Sequence, residues 1–442
     1  MRRLIRTAAV LALVAGLLPT QMAGPAGATH ADRSRECQEP FRADPSLHKR
    51  GYIPVAQDSP TDATTLHYQL FLPNPDLFGP GPYPAVMDYS GYQPGITIYD
   101  GLHRHFLCEG YAVIGLNIRG TGCSGGKFDY FEPRQAEDGR EAIEWFHDNA
   151  GDPDLGLNLT GDIAMVGKSY PGITQLFVTG QPGPDDPLTL DHDESTDPPT
   201  TPENLKAIVP GAVFGDLYRD VPFPGGIMNV TFAAGWSAGR IYEPFQAPLE
   251  DQFNRQEVDQ QCMVNTAQHV TNPPQNPFVK ALYNHFDGDL FKERSPWYWA
   301  DNIEVPTMLV EAWQDEQVGS RATELIERFD EELEWRFLGT NGDHGGHDRA
   351  GQRRGLLVVL LDELTHVDAV RAERGTDRRC GGRLARGDLD LDDRLDLLRH
   401  LLLHQLFDLK EVELDRRLAA EDRHEDLDLV ALRVHLVHDA VE

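Results

Sequence analysis

The chain is predicted to fold as α/β, around a mainly parallel sheet with helices on both faces, and three observations carry that reading. Short β-rich runs alternate with helical ones from about Tyr52 to Phe177. Gly-rich turns separate the runs. After a long interruption the same strand-plus-loop pattern resumes near Val305.

Taken in order, "TTLHYQLFLP" (64–73) and "YPAVMDYSGY" (83–92) read as strands, and "YAVIGLNIRG" (111–120) as a strand buried on both faces, because its apolar run does not alternate. "QAEDGREAIEWFHDN" places Ala136, Ile143 and Phe146 at helical spacing. "DIAMVG" returns to strand. A stretch rich in Pro, Asp and Thr over about 180–200 marks an exposed loop, and "LKAIVPGAVFG" (205–215) is one more strand and turn. Residues 216–300 lose the alternation and carry bulky aromatics such as Phe223, Phe232, Trp236, Phe245 and Trp297, which we read as a helical insertion. "VPTMLVEAWQDEQVG" and "EWRFLGTNGDHGG" continue the sheet beyond it.

The two ends differ from this pattern. Residues 1–28 have a basic start (Arg2, Arg3, Arg6), an apolar run from Ala8 to Leu18 and small residues up to Ala28, the make-up of a secretory signal peptide, and export to the extracellular space or periplasm is expected. The Arg2-Arg3 pair fits twin-arginine export and an ordinary signal equally well. At the other end, 349–442 contain no Pro, Ser, Asn, Ile, Met, Trp or Tyr, although all 31 prolines precede that stretch. A charged helical appendage packed through its leucines is one reading of this tail. A slipped reading frame in a GC-rich gene, giving residues never selected to fold, is the one we adopt. The expected organisation is therefore 1–28 signal peptide, 29–215 first part of the core, 216–300 helical cap, 301–348 second part of the core, and 349–442 anomalous tail.

Composition limits the partners. Forty Lys and Arg against 71 Asp and Glu give a net charge of −31, which disfavours nucleic acid and anionic lipid. Five cysteines (Cys37, Cys108, Cys123, Cys262, Cys380) are too scattered for zinc-type pairs. Their odd number leaves at least one outside any intramolecular disulfide, and the pairing stays open.

The chemistry centres on "GKSYPG" (167–172). A serine hydroxyl is a weak nucleophile, so it needs a base and a group that orients the base. In α/β-hydrolases these arrive in the order Ser, acid, His, each in a loop after a strand. Here Ser169 follows "DIAMVG", Asp315 follows "PTMLVEAW" and His344 follows "EWRFLG". Gly167 and Gly172 leave room for a strained turn at Ser169, Pro171 falls in the first helical turn, and the Tyr170 N–H would meet a developing oxyanion. Glu316 and Asp343 rival Asp315 as the acid; His347 rivals His344 as the base. Asp343, His344 and His347 also form a D-H-x-x-H pattern that could offer metal ligands. As a base, His344 has to be neutral, so activity is expected to fall as it becomes protonated.

With these residues in place, the chain resembles the cocaine esterase and X-prolyl dipeptidyl-peptidase group of serine hydrolases, over roughly Tyr52 to Gly345. "GKSYPGITQ" is similar to that group's Gly-x-Ser-Tyr-x-Gly elbow, "GYAVIGLNIRGTGCSGGKF" to its strand and Arg-Gly-x-Gly-x-Ser-x-Gly turn, and "DLYRDVPFPGGIMN" with "GWSAG" to the start of its cap. The resemblance implies an α/β-hydrolase fold with an inserted helical cap, Ser169 as nucleophile, Asp315 as acid and His344 as base. It implies an oxyanion hole of the Tyr170 N–H and the Tyr92 hydroxyl, with Tyr89 a near rival, and no metal or organic cofactor. Trp236 matches a cap tryptophan of the acyl pocket, while packing within the cap is its other reading. Two features depart from the group. "GTNGDH" replaces its Gly-Pro-Trp-x-His approach to the base and is one residue longer. The jelly-roll β-sandwich that follows the histidine in the group is replaced here by the anomalous tail, as if missing or frameshifted. The expected function is a secreted serine hydrolase cleaving a small ester or amide, or a short X-Pro peptide, through an acyl-enzyme. A non-catalytic binding protein on a hydrolase scaffold, or an inactive fragment of a hydrolase, is the alternative.

Overall fold

A computed structural model describes residues 36–56, 64–92, 101–183, 201–240, 258–271, 273 and 275–344. The expected signal peptide, most of the Pro-rich stretch, Phe245, His347, Cys380, the tail and the expected place of the β-sandwich lie outside the described residues.

Eight strands form one sheet: β1 (His48–Pro54), β2 (Thr65–Phe71), β3 (Tyr83–Ser90), β4 (Ala112–Asn117), β5 (Leu159–Lys168), β6 (Leu205–Gly211), β7 (Thr307–Ala312) and β8 (Trp335–Thr340). Their spatial order is β1-β2-β4-β3-β5-β6-β7-β8. β2 is antiparallel to β1 and β4, and every other neighbouring pair is parallel. This is the α/β-hydrolase fold.

Strand periodicity builds the two faces. Val86, Val113, Val166, Val209 and Val310 share one apolar cluster with Phe106 and Leu107 of helix α1 (Gly101–Cys108). Their neighbours Met87, Ile114, Met165, Ile208 and Leu309 join the larger core on the opposite face. There α2 (Arg134–Asp148) contributes Ala136, Ile143 and Phe146, and α3 (Tyr170–Gly180) is buried along its whole length. Both faces being covered is why β4 and β7 are buried at every position.

Between β6 and β7 the described residues are helical or irregular, including the turn Leu217–Asp220, a helical stretch at 232–240, α4 (Gln260–Thr271) and α5 (Pro277–Tyr283). α4 is fixed to the loop that closes β4. The Cys123–Cys262 disulfide links them, Asn265 Nδ2 donates to the Cys123 carbonyl at 2.8 Å, and His269 Nε2 lies 2.8 Å from the Ser124 carbonyl. A second disulfide, Cys37–Cys108, ties the segment before β1 to the end of α1. The same β4 loop carries Arg119, whose guanidinium forks onto Asp138 of α2 with two 2.6 Å bonds, both side chains buried.

Candidate active site

Ser169 stands between β5 and α3 with φ 65° and ψ −130°, a backbone conformation that L-residues rarely adopt. The flanking glycines make it possible. A Cβ at Gly167 would come within 2.4 Å of Pro171, and one at Gly172 within 2.5 Å of the Gly211 carbonyl. The turn is also held by hydrogen bonds, since Ser169 N donates to Gly211 O at 2.9 Å and its own carbonyl accepts from Gly172 and Ile173. The hydroxyl is thereby fixed at the first turn of α3, where unpaired N–H groups and the helix dipole favour negative charge.

The Ser169 hydroxyl lies 3.0 Å from the Tyr92 hydroxyl. Tyr92 sits two residues beyond β3, its N–H donating to Ser90 Oγ at 3.0 Å. Burial raises its hydroxyl above the ordinary value, and the Ser169 bond, the Trp236 side chain, the Arg240 charge and the Tyr170 N–H pull it back. Tyr92 therefore keeps its proton at neutral pH and remains a donor. The Arg240 guanidinium stands 4.9 Å from the centre of the Tyr92 ring. Tyr89, the other tyrosine considered, is turned away and donates to the Gln135 carbonyl at 3.1 Å.

Asp315 and His344 meet beyond the ends of β7 and β8. His344 Nδ1 is 2.7 Å from Asp315 Oδ2, and Asp315 Oδ1 accepts from the N–H groups of Gln317 and Val318, each at 2.9 Å. Both side chains are buried. The carboxylate is thus oriented by two main-chain donors and presents its remaining oxygen to the imidazole. The rival acid Glu316 is bonded elsewhere, accepting the His344 N–H at 3.0 Å; that bond holds its carboxyl below the ordinary value. Asp343 is exposed.

The serine half and the histidine half are joined by Lys168, whose ammonium donates to the His344 carbonyl at 3.0 Å. Among the described residues Ser169 Oγ pairs with Tyr92 and not with His344. A nucleophile–base bond that tightens only on substrate binding is common in unliganded hydrolases.

Trp236 lies parallel to Phe131, centroids 6.1 Å apart, and Phe131 in turn stacks on Tyr170 at 4.4 Å. Trp236, Phe131, Tyr130, Leu217 and Phe291 line an apolar cavity of about 60 Å³ with Lys280 and Arg294 in its wall. Trp236 thus touches both the cavity and Tyr92. Sequence reasoning passed over three residues here: Lys168, Arg240 and Glu311. Glu311 is buried in β7 and accepts the Val213 N–H at 3.1 Å; burial, with the nearby Asp315 and Asp220, raises its carboxyl well above the ordinary value. A single acid inside "TMLVEA" and a single cation closing "DIAMVGK" were the available signals.

Two mycobacterial proteins assigned as serine esterases, one from Mycobacterium bovis and one from Mycobacterium tuberculosis, are 27% identical over 143 residues, 32% of this chain and 18% of theirs. A CocE/NonD family hydrolase from Staphylococcus aureus is similar in structure at 20% identity and TM-score 0.49, covering 70% of this chain and 49% of that one. An α-amino acid ester hydrolase gives 16% identity and TM-score 0.44, over 70% of this chain and 48% of that one. The chain thus spans less than half the length of these structures and a smaller share of the curated relatives. The model of the X-Pro dipeptidyl-peptidase (S15) family matches residues 62–185 and 198–346, well over half of the chain, with Ser169, Asp315 and His344 all inside the match. The chain belongs to the X-Pro dipeptidyl-peptidase (S15) family of hydrolases.

Proposed function

We propose that the protein is an exported serine hydrolase that cleaves a small ester or amide through an acyl-enzyme. The observation that carries this reading is the meeting, at one end of the sheet, of a strained Ser169 paired with Tyr92 and a His344–Asp315 pair tied back to it by Lys168. Ser169 Oγ attacks the carbonyl carbon while His344 Nε2 takes its proton. Asp315 fixes the Nδ1–H tautomer and stabilises the imidazolium. The oxyanion is met by the Tyr170 N–H and the Tyr92 hydroxyl. His344 returns the proton to the leaving group, and a water activated by the same imidazole releases the acyl group.

The cavity beside Trp236 favours short acyl chains. At about 60 Å³ it is well below the roughly 150 Å³ of an apolar cavity that admits benzene. The two disulfides support export, because such bonds persist in oxidising compartments. A fluorophosphonate probe is expected to label the folded protein at Ser169 and to leave Ser169→Ala unlabelled. A folded sample that takes no label rules the reading out. Short-chain p-nitrophenyl esters assayed beside X-Pro anilides then separate the esterase from the dipeptidyl-peptidase form of the activity.

A further inference from the structure

We propose that Lys168 and Glu316 are positioning residues that grip the main chain of His344 from opposite ends and hold its imidazole in register with Ser169. The inference rests on the serine-hydrolase reading above. Lys168 Nζ donates to the His344 carbonyl, and the His344 N–H donates to Glu316 Oε2, both at 3.0 Å. Lys168 directly precedes Ser169 and Glu316 directly follows Asp315. The residue after Asp315 and the residue before Ser169 therefore bind the backbone of His344, while Asp315 makes the bond to its ring.

The need for such a grip follows from where His344 lies. β8 ends at Thr340, and 341–344 are irregular. Within that stretch the Gln314 N–H donates to the Gly342 carbonyl at 3.1 Å and Gln314 Nε2 to Asn341 Oδ1 at 3.0 Å, both before His344 itself. The bond from Nδ1 to Asp315 fixes one ring atom but leaves the ring free to pivot about it. Fixing the peptide on both sides of the Cα removes that freedom, and misplacement of a reacting group by about 1 Å can cost about 100-fold in rate.

The grip is also balanced in charge. A carboxylate beside the N–H and an ammonium beside the C=O complement the two peptide dipoles. The ionisable groups around His344 are Asp315, Glu316, Lys168, its neighbour Asp343 and, deeper in β7, Glu311, whose carboxyl burial raises well above the ordinary value. Removing one arm alone therefore changes both position and charge.

The test compares wild type with Lys168→Met, Glu316→Leu, which removes the acceptor of the His344 N–H, the double variant and Lys168→Arg. Each is checked for folding by thermal melting, assayed for kcat and KM across pH, and titrated by NMR of the His344 ring protons. Both single variants are expected to lose about 10- to 100-fold in kcat with KM changed by less than about twofold. The acid limb and the ring titration move up in Lys168→Met and down in Glu316→Leu, each by roughly half a pH unit. In the double variant the titration returns to the wild-type position while kcat stays low, and Lys168→Arg recovers most of the rate. An active wild type whose Lys168→Met variant keeps full kcat overturns the inference alone, as do ring titrations that move together or not at all. A wild type that neither turns over nor takes the fluorophosphonate label overturns the hydrolase reading instead, and opposite titration shifts in that case would still uphold the grip.

Discussion

Tyr92 and Tyr89 lie three residues apart on the same strand end, yet the fold gives them separate tasks, and substitution separates them cleanly. Under the proposed mechanism Tyr92→Phe removes one oxyanion donor, and it is expected to lower kcat by about 100-fold or more with little change in melting temperature. Tyr89→Phe leaves the buried Gln135 carbonyl without its 3.1 Å partner, costing about 1–3 kcal/mol of stability with kcat preserved. Steady-state kinetics beside thermal melts check both. The strained turn at Ser169 and the pairing of Asp315 with His344 were legible from their order along the chain and the small neighbours at the turn. The choice between two tyrosines was not, since it depends on which hydroxyl the end of β3 turns toward α3. Lys168 and Arg240 were hidden for a related reason. Long flexible cations leave no period or spacing behind, and only the assembled fold says what they reach.

Burial of β4 on both faces could be read from its apolar run, and α2 from its helical spacing. The reversed β2 and the cysteine pairing could not, because both are set by contacts between distant segments. The Cys123–Cys262 bond makes its own test possible. Its 139-residue separation implies a stabilisation of about 4–5 kcal/mol on a chain-entropy account. Replacing both cysteines by serine should lower the unfolding free energy by up to that amount. Hydrogen exchange should quicken first in α4, where Asn265 and His269 lose the support of the link. Equal loosening across the sheet would mean that the bond does not act locally on α4.

Several buried acids give the folded molecule a common response to pH. Burial, aided by Asp216, raises Asp220 from 3.8 to about 7, and burial with Asp129 raises Glu132 from 4.5 to about 8. Between the ordinary and the raised values the folded chain binds more protons than the unfolded one, so stability falls as pH rises from about 4 to about 8. Against the cost of burial, Arg294 and Lys280 hold Asp129 low, and its contribution is lost only as pH falls through that lowered value. Thermal melts across pH should therefore peak on the mildly acidic side. Asp220→Asn, which can still accept from Gly215 and Asp216, should flatten the slope between about pH 4 and 7.

The contact between Lys168 and the His344 carbonyl spans 176 residues of chain. It closes only when β5, β6, β7 and β8 have come together in register. A polypeptide still emerging, or one trapped half-assembled, holds the serine on its own turn with no base set against it. Under the proposed function, catalysis has to wait for the whole sheet.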